Sequence, residues 1–245
     1  MPDAVAAASA PYEADNLLDR HSRPATLELN YRHMMERERA LLDRHLALPR
    51  GDVLSVGCGW HPGRHLFGTP AFRLVGADAD PAKVAAVLDT GRADDGVVGY
   101  AGRLGLEPQS FDVVLYRLVL HHLAFQGPLG PCFAEAAQLL RPGGALVAVE
   151  PGLWHPVGAA LALANRTGLA TRLHGTPDDI PLSPRRLVAE ARAVGLDPHL
   201  HAVTYTWRRL PPPVQSALWP LDAIGSRSRA SKFGHTLMLI ARAPG

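Results

Sequence analysis

Two glycines flank a cysteine at Gly57-Cys58-Gly59, directly after the apolar run Val53-Leu54-Ser55-Val56. This order reads as a strand entering a tight turn, with a short helix starting near Pro62. Glycine permits the turn and leaves bare backbone against which a ligand can lie. A helix start would add free N–H groups and a positive dipole end, which suit an anion. Asp78 stands 21 positions beyond Gly57, at the end of a second apolar run. A carboxylate there can accept from both hydroxyls of a ribose. Asp80, just before Pro81, is the better helix cap, which leaves Asp78 for a ligand. The turn alone is also compatible with an ordinary strand-to-helix connection. A dinucleotide site would want Gly-x-Gly-x-x-Gly, and Pro62 holds the third place. That speaks against a nicotinamide-dependent oxidoreductase.

Further along, His121-His122 follow the strand Phe111–Tyr116, at the edge where such sheets bind ligands. A histidine titrates near neutrality and can serve as a base; a pair here can equally pack or cap. Glu150 ends the strand Ala145–Glu150 and points toward the same crevice, or is a solvated or ion-paired strand end. Trp154 and His155 begin the segment just beyond it and could form a substrate wall or plain packing. Tyr31, Met34 and Met35 lie on an early helix, as a lid or as core.

The elements that must position these residues alternate. A helical pattern runs from Tyr12 to Leu48, with Tyr31, Met34, Met35, Leu41, Leu42 and Leu46 on one side. Glu36, Arg37, Glu38, Arg39 and Arg44 form its polar side. Strands are expected at 53–56, 73–78, 96–99, 111–116 and 145–150, with helices at 81–88 and 130–140 and a turn at 141–144. Such alternation means a parallel α/β sheet, and its near-continuous apolar strands are those of a sheet covered on both faces. A helix capped by Ser183 and ended by Gly195, then strands at 199–207 and 236–241, complete the pattern. The segments 151–182 and 208–234 interrupt it as insertions.

The whole chain of 245 residues carries 25 Lys+Arg and 23 Asp+Glu, a net charge of +2, with 47% hydrophobic residues. This excludes a disordered chain and argues against a dedicated nucleic-acid binder. No apolar run of about 18 residues exists, so no membrane span is expected. Met1-Pro2-Asp3 and the following alanines do not form a secretory signal. The cysteines number 2, Cys58 and Cys132, too few for a disulfide framework, and a reducing cytoplasmic setting follows. No metal site is read: no zinc-helix pair of histidines occurs among the 12.

Taken in order, Val53–Gly59, Val75-Gly76-Ala77-Asp78, Ser110–Val114, His121-His122-Leu123 and Leu140-Arg141-Pro142-Gly143-Gly144 resemble the class I S-adenosylmethionine-dependent methyltransferases, in their small-molecule branch. The resemblance implies a Rossmann-like, doubly wound, seven-stranded, mostly parallel sheet with the last strand antiparallel. Residues 1–48 would be a tail and helical cap on a methyltransferase domain of 49–245. It also implies that Gly57, Cys58 and Gly59 face the methionine part of S-adenosyl-L-methionine, that Asp78 binds the ribose and that Ala79 packs near the adenine. Tyr100 and Ala101 would hold the adenine edge, and Tyr116 and Arg117 would leave the fourth strand beneath the sulfonium.

This sequence departs from the family at three places: Ser55 replaces an acidic residue, His61 the third glycine, and Tyr100 an Asp that accepts the adenine amino group. The implied reaction is methyl transfer to a small organic molecule, with O-methylation favoured, His121, His122 or Glu150 as base, and Tyr31, Trp154 and His155 toward the substrate. The alternative is the same fold in a non-methylating reaction, with the cofactor structural or lost. Pro131-Cys132 lies too far past the fourth strand to be a cytosine-methylating nucleophile, and no Asn/Asp-Pro-Pro-aromatic signature is present. The partner expected is a small acceptor, without nucleic acid or membrane, on a monomer or homodimer.

Overall fold

The computed structural model describes residues 24–169, 180–225 and 229–245. Helix α1 spans Pro24–His45, and strand β1 spans Gly51–Val56. There follow β2 (Phe72–Asp78), α2 (Pro81–Asp89), β3 (Asp95–Val98), β4 (Phe111–Arg117), α3 (Leu120–Gln126), α4 (Gly130–Leu139) and β5 (Leu140–Pro151). Then come α5 (Pro156–Asn165), α6 (Pro184–Ala193), β6 (Asp197–Thr204), α7 (Pro212–Gly225), a 3-10 turn at Arg229–Phe233 and β7 (Thr236–Arg242). The strands form one seven-stranded sheet in the order β3-β2-β1-β4-β5-β7-β6. Strand β7 runs antiparallel to both β5 and β6, and the other pairs are parallel, as the sequence implies.

The central strands bury both faces because alternate side chains point to opposite layers. Leu54, Val56, Val114, Leu146 and Ala148 pack with Phe133 and Ala136 of α4 and Leu187 of α6. Val53, Val113, Leu115, Val147 and Val149 pack on the other face with Met34, Leu41 and Leu42 of α1 and with Leu46 just beyond it. Met34 is thus core. At the amino edge, Arg141 donates to Asp112 at 2.6 Å and to Asp52 at 2.8 Å, tying the starts of β1, β4 and β5.

Several expectations need correction. The early helix is described only from Pro24 and ends at His45 rather than Leu48; the part of its expected span before Pro24, with residues 1–13, lies outside the described residues. Glu38 is not on a solvated face but fully buried. No helix follows the glycine turn. Gly63 holds φ +88, and a Cβ there would lie 2.6 Å from a Leu115 methyl, so residues 63–67 make a single turn closed by Leu66 and Phe67 N–H on Gly63 O. The expected dipole end beside the turn is therefore missing. Residues 141–144 belong to β5 rather than to a separate turn, and β6 stops at Thr204. The two insertions carry α5 and α7, while 170–179 and 226–228 lie outside the described residues.

Partly buried histidines are expected to make this fold acid-sensitive. Burial lowers the imidazoles of His45, His65 and His155 below their usual value. His61 is pushed down to about 4 by burial, then by Arg92 and Arg117. An unfolded histidine takes its proton near pH ~6.5, whereas these folded ones refuse it, so stability present above that pH is lost as pH falls toward each folded value. Thermal melts are expected to show a Tm declining from about pH 6.5 down to about pH 4, with a shallower decline in His61→Gln. A Tm unchanged across that window contradicts this assignment.

Candidate active site

The sheet order reverses between β1 and β4, and parallel sheets leave a crevice at the carboxyl ends of such strands. A hollow of about 520 Å³ lies there. Its walls are Gly57 to His61 after β1, Asp78, Ala79 and Lys83 after β2, Gly99 to Ala101 after β3, and Arg117 to Val119 with His122, Leu123 and Gln126 after β4. Gly57 has φ +62, and a Cβ on it would meet Val119 at 2.3 Å, so the turn and the β4 loop touch through bare backbone.

Asp78 Oδ2 accepts from Gly59 N–H at 2.9 Å, and Oδ1 accepts from Asp80 N–H at 3.0 Å. Asp80 in turn caps α2 through Ala82 N–H at 2.9 Å. The Cys58 thiol is pushed up to about 12, by burial first and by Asp78 second, and is therefore unreactive. Tyr100 is exposed at the rim, with the Arg103 guanidinium 4.7 Å from its ring centre. At the floor, Leu118 takes φ +56, a left-handed conformation of the kind that collects at functional sites.

Two buried carboxylates build the wall and floor. Glu150 is fully buried and accepts from Val119 N–H at 3.0 Å, Leu120 N–H at 2.8 Å and His121 N–H at 3.3 Å. These are first-turn donors of α3 that its own cap residue Val119 cannot satisfy. Glu150 Oε2 also lies 2.6 Å from His121 Nδ1, and the His121 ring lies 4.0 Å from that of His122. On the other side, Glu38 accepts from Arg117 Nε at 3.0 Å and Nη2 at 3.2 Å, and from His65 Nε2 at 3.0 Å. Burial alone would raise the Glu38 carboxyl, but Arg117 and His65 together hold it below its usual range. Burial in turn keeps His65 low, so it donates as a neutral imidazole.

Of the residues singled out from the sequence, Gly57, Cys58, Gly59, Asp78, Ala79, Tyr100, Ala101, Arg117 and His122 meet around the hollow. The others lie elsewhere. Tyr116 points into the core and donates to Cys132 O at 3.1 Å, because its side chain shares the face of Val114. Glu150 and His121 stand behind the wall, not on it. Tyr31 packs beside the α1 core and accepts from Arg208 at 2.6 Å. His155 caps α5 by accepting from Val157 N–H at 3.3 Å, and Trp154 lies between Arg185 and Lys232, at 5.1 and 5.6 Å. Trp60, Lys83, Leu118, Val119 and Gln126 join the lining without having been singled out. Lys83 carried a usable signal, being one of two lysines in an arginine-rich chain. Among the described residues, no group of three His, Cys, Asp or Glu is placed to hold a metal, and no helix is long and apolar enough to cross a membrane.

Known proteins place this arrangement. Residues 54–148 match the model of a methyltransferase domain. A probable S-adenosylmethionine-dependent methyltransferase of Mycolicibacterium smegmatis is 36% identical over 100 residues, which are 41% of this chain and 38% of that relative's length. Among solved structures, a Thermotoga maritima S-adenosylmethionine-dependent methyltransferase, described as a possible histamine N-methyltransferase, superposes with a TM-score of 0.62 at 14% identity, covering 89% of this chain and 91% of that one. Phosphoethanolamine N-methyltransferase 2 of Haemonchus contortus, solved with S-adenosyl-L-methionine, gives 0.55 at 16% identity, over 84% and 60% of the two chains. Residues 54–148, within the segment from β1 to β5, are thus similar to a methyltransferase domain, and the sheet has the fold of S-adenosylmethionine-dependent methyltransferases.

Proposed function

We propose that this protein transfers a methyl group from S-adenosyl-L-methionine to a small organic acceptor, a hydroxyl in the first instance. The reading rests on one observation: Asp78 stands at the mouth of a hollow of about 520 Å³, hydrogen-bonded to the glycine turn that forms its opposite wall. That volume is of the size that takes a nucleoside-containing ligand. The residues fit the cofactor. Asp78 would hold the ribose, Gly57 to Gly59 the methionine part, and Ala79, Tyr100 and Ala101 the adenine side. The cofactor brings an activated methyl, so the protein must align an acceptor and, for a hydroxyl, take its proton. His122 is the base we assign, since it faces the hollow. His121 and Glu150 support it from behind. Tyr31, Trp154 and His155 are assigned to the acceptor side, with residues 1–48 as tail and helical cap, of which α1 is the described part, on the domain of 49–245.

Two free, buried cysteines support a cytoplasmic setting and the balanced charge a partner that is not nucleic acid; a place in specialised metabolism, action away from the membrane and a monomer or homodimer complete the proposal. A second reading keeps the fold without methyl transfer. It is favoured by Asp78, whose two oxygens already accept backbone N–H groups, and by Tyr100 in place of a carboxylate.

Calorimetry with S-adenosylhomocysteine is expected to show binding. Asp78→Ala should weaken it about 5- to 150-fold, the loss of a charged hydrogen-bond partner worth about 1–3 kcal/mol. An unchanged affinity would place the ribose elsewhere. Labelled-methyl transfer to a panel of small hydroxylated acceptors separates the two readings, because binding without transfer supports the second. In a transferring enzyme, His122→Ala should lower kcat by roughly 10²- to 10⁴-fold with cofactor affinity retained. A kcat unchanged by that substitution removes His122 as the base.

A further inference from the structure

Glu38 sits on α1, 79 positions from the Arg117 that it holds, yet its carboxylate meets a wall of the hollow. The pair is bidentate and the Glu38 side chain is fully enclosed, while the Arg117 side chain keeps 11% exposure and Arg117 lines the hollow. A bidentate carboxylate fixes a guanidinium in direction as well as place. Arg117 stands one position beyond Tyr116, which pairs in register with Val56, so it lies beside the glycine turn. Among the lining residues the cations are Arg117 and Lys83; Lys83 lies beyond Asp78 on α2, whereas Arg117 ends β4 next to the start of the turn. The turn itself lacks the following helix whose dipole would favour an anion. A negatively charged group placed there must therefore be met by a side chain.

We propose that Glu38 is a positioning residue for the cofactor: it aims Arg117 at the carboxylate of the amino-acid end, which makes the docked α1 helix part of the cofactor site. This rests on the reading of the hollow given under the proposed function. His65 completes the arrangement by donating to the same Glu38 oxygen, so that the arginine cannot swing away with its partner.

The test uses two probes that share a nucleoside and differ at one end. S-adenosylhomocysteine carries the amino-acid carboxylate, and 5′-methylthioadenosine lacks it. Calorimetry is run with the full chain and with Glu38→Gln. The variant is expected to bind S-adenosylhomocysteine about tenfold or more weakly while 5′-methylthioadenosine changes by less than about twofold, the difference being one charge-assisted contact. Equal losses for both probes, or no loss for either, overturn the proposal. Failure of the unmodified chain to bind either probe instead overturns the reading of the hollow itself. Where Glu38→Gln does not fold, Glu38→Asp keeps the buried charge but shortens its reach. It is expected to show the same selective loss in smaller degree, and a loss shared by both probes counts against the proposal.

Discussion

Backbone N–H groups released where parallel strands end must find acceptors, and in this protein acidic side chains supply them. Asp78 takes Gly59 and Asp80. Glu150 takes three consecutive amides of the β4–α3 junction. Glu135, from α4, takes Gly102 at 2.7 Å and also Leu104. Glu150 and Glu135 each come from one element and bind the loop of another, and Asp78 joins the loop after β1 to its own, so the rim of the crevice is stitched across the sheet as well as along the chain. A buried donor left without a partner costs about 1–3 kcal/mol, which is why loops so fixed keep one shape around a ligand.

The same device on the α1 side uses a guanidinium in place of amides. Glu38, Arg117 and His65 form a neutral set: one carboxylate, one cation and one imidazole held uncharged by burial. Breaking one partner of a buried pair leaves the other charge stranded, typically at 3–5 kcal/mol, whereas the complete set is close to neutral in its effect on stability. Its value therefore lies in placement. Arg37 extends the link by donating to Asp222 O of α7 at 2.8 Å, and His33 approaches the Asp222 carboxylate at 2.7 Å. Through α1, the second insertion and the hollow share one support.

Sequence alone made the strands legible because their apolar runs are short, β-branched and bounded by glycine or proline. Asp78 was legible because position and residue type agreed at the end of β2. Glu38 was not. It sits in the run Glu36-Arg37-Glu38-Arg39, where charge alternation looks like a solvated helix face, and only the docking of α1 on the sheet, with Arg117 opposite, decides which of the four is enclosed. The helix expected after Pro62 failed for a local reason: a glycine at φ +88 closes the first turn and stops propagation. Glu150 was visible as a strand end, but its role depends on α3, a seven-residue helix too short to carry a periodic signal. Tyr116 was placed by the path of its backbone, and the pleat of β4 then sent its ring the other way.

The anchorage of Glu150 makes the two flanks of the crevice mechanically unequal. On the β4 flank, any guest that displaced the His122 ring would have to disturb the His121 ring tilted against it and, behind that, a carboxylate on β5. That flank is an anvil. Opposite it, the Tyr100 ring stands 61% exposed, with the Arg103 guanidinium on its face, and can swing at little cost. Tolerance for guests of different girth is thus confined to one jaw, and discrimination by fit to the other.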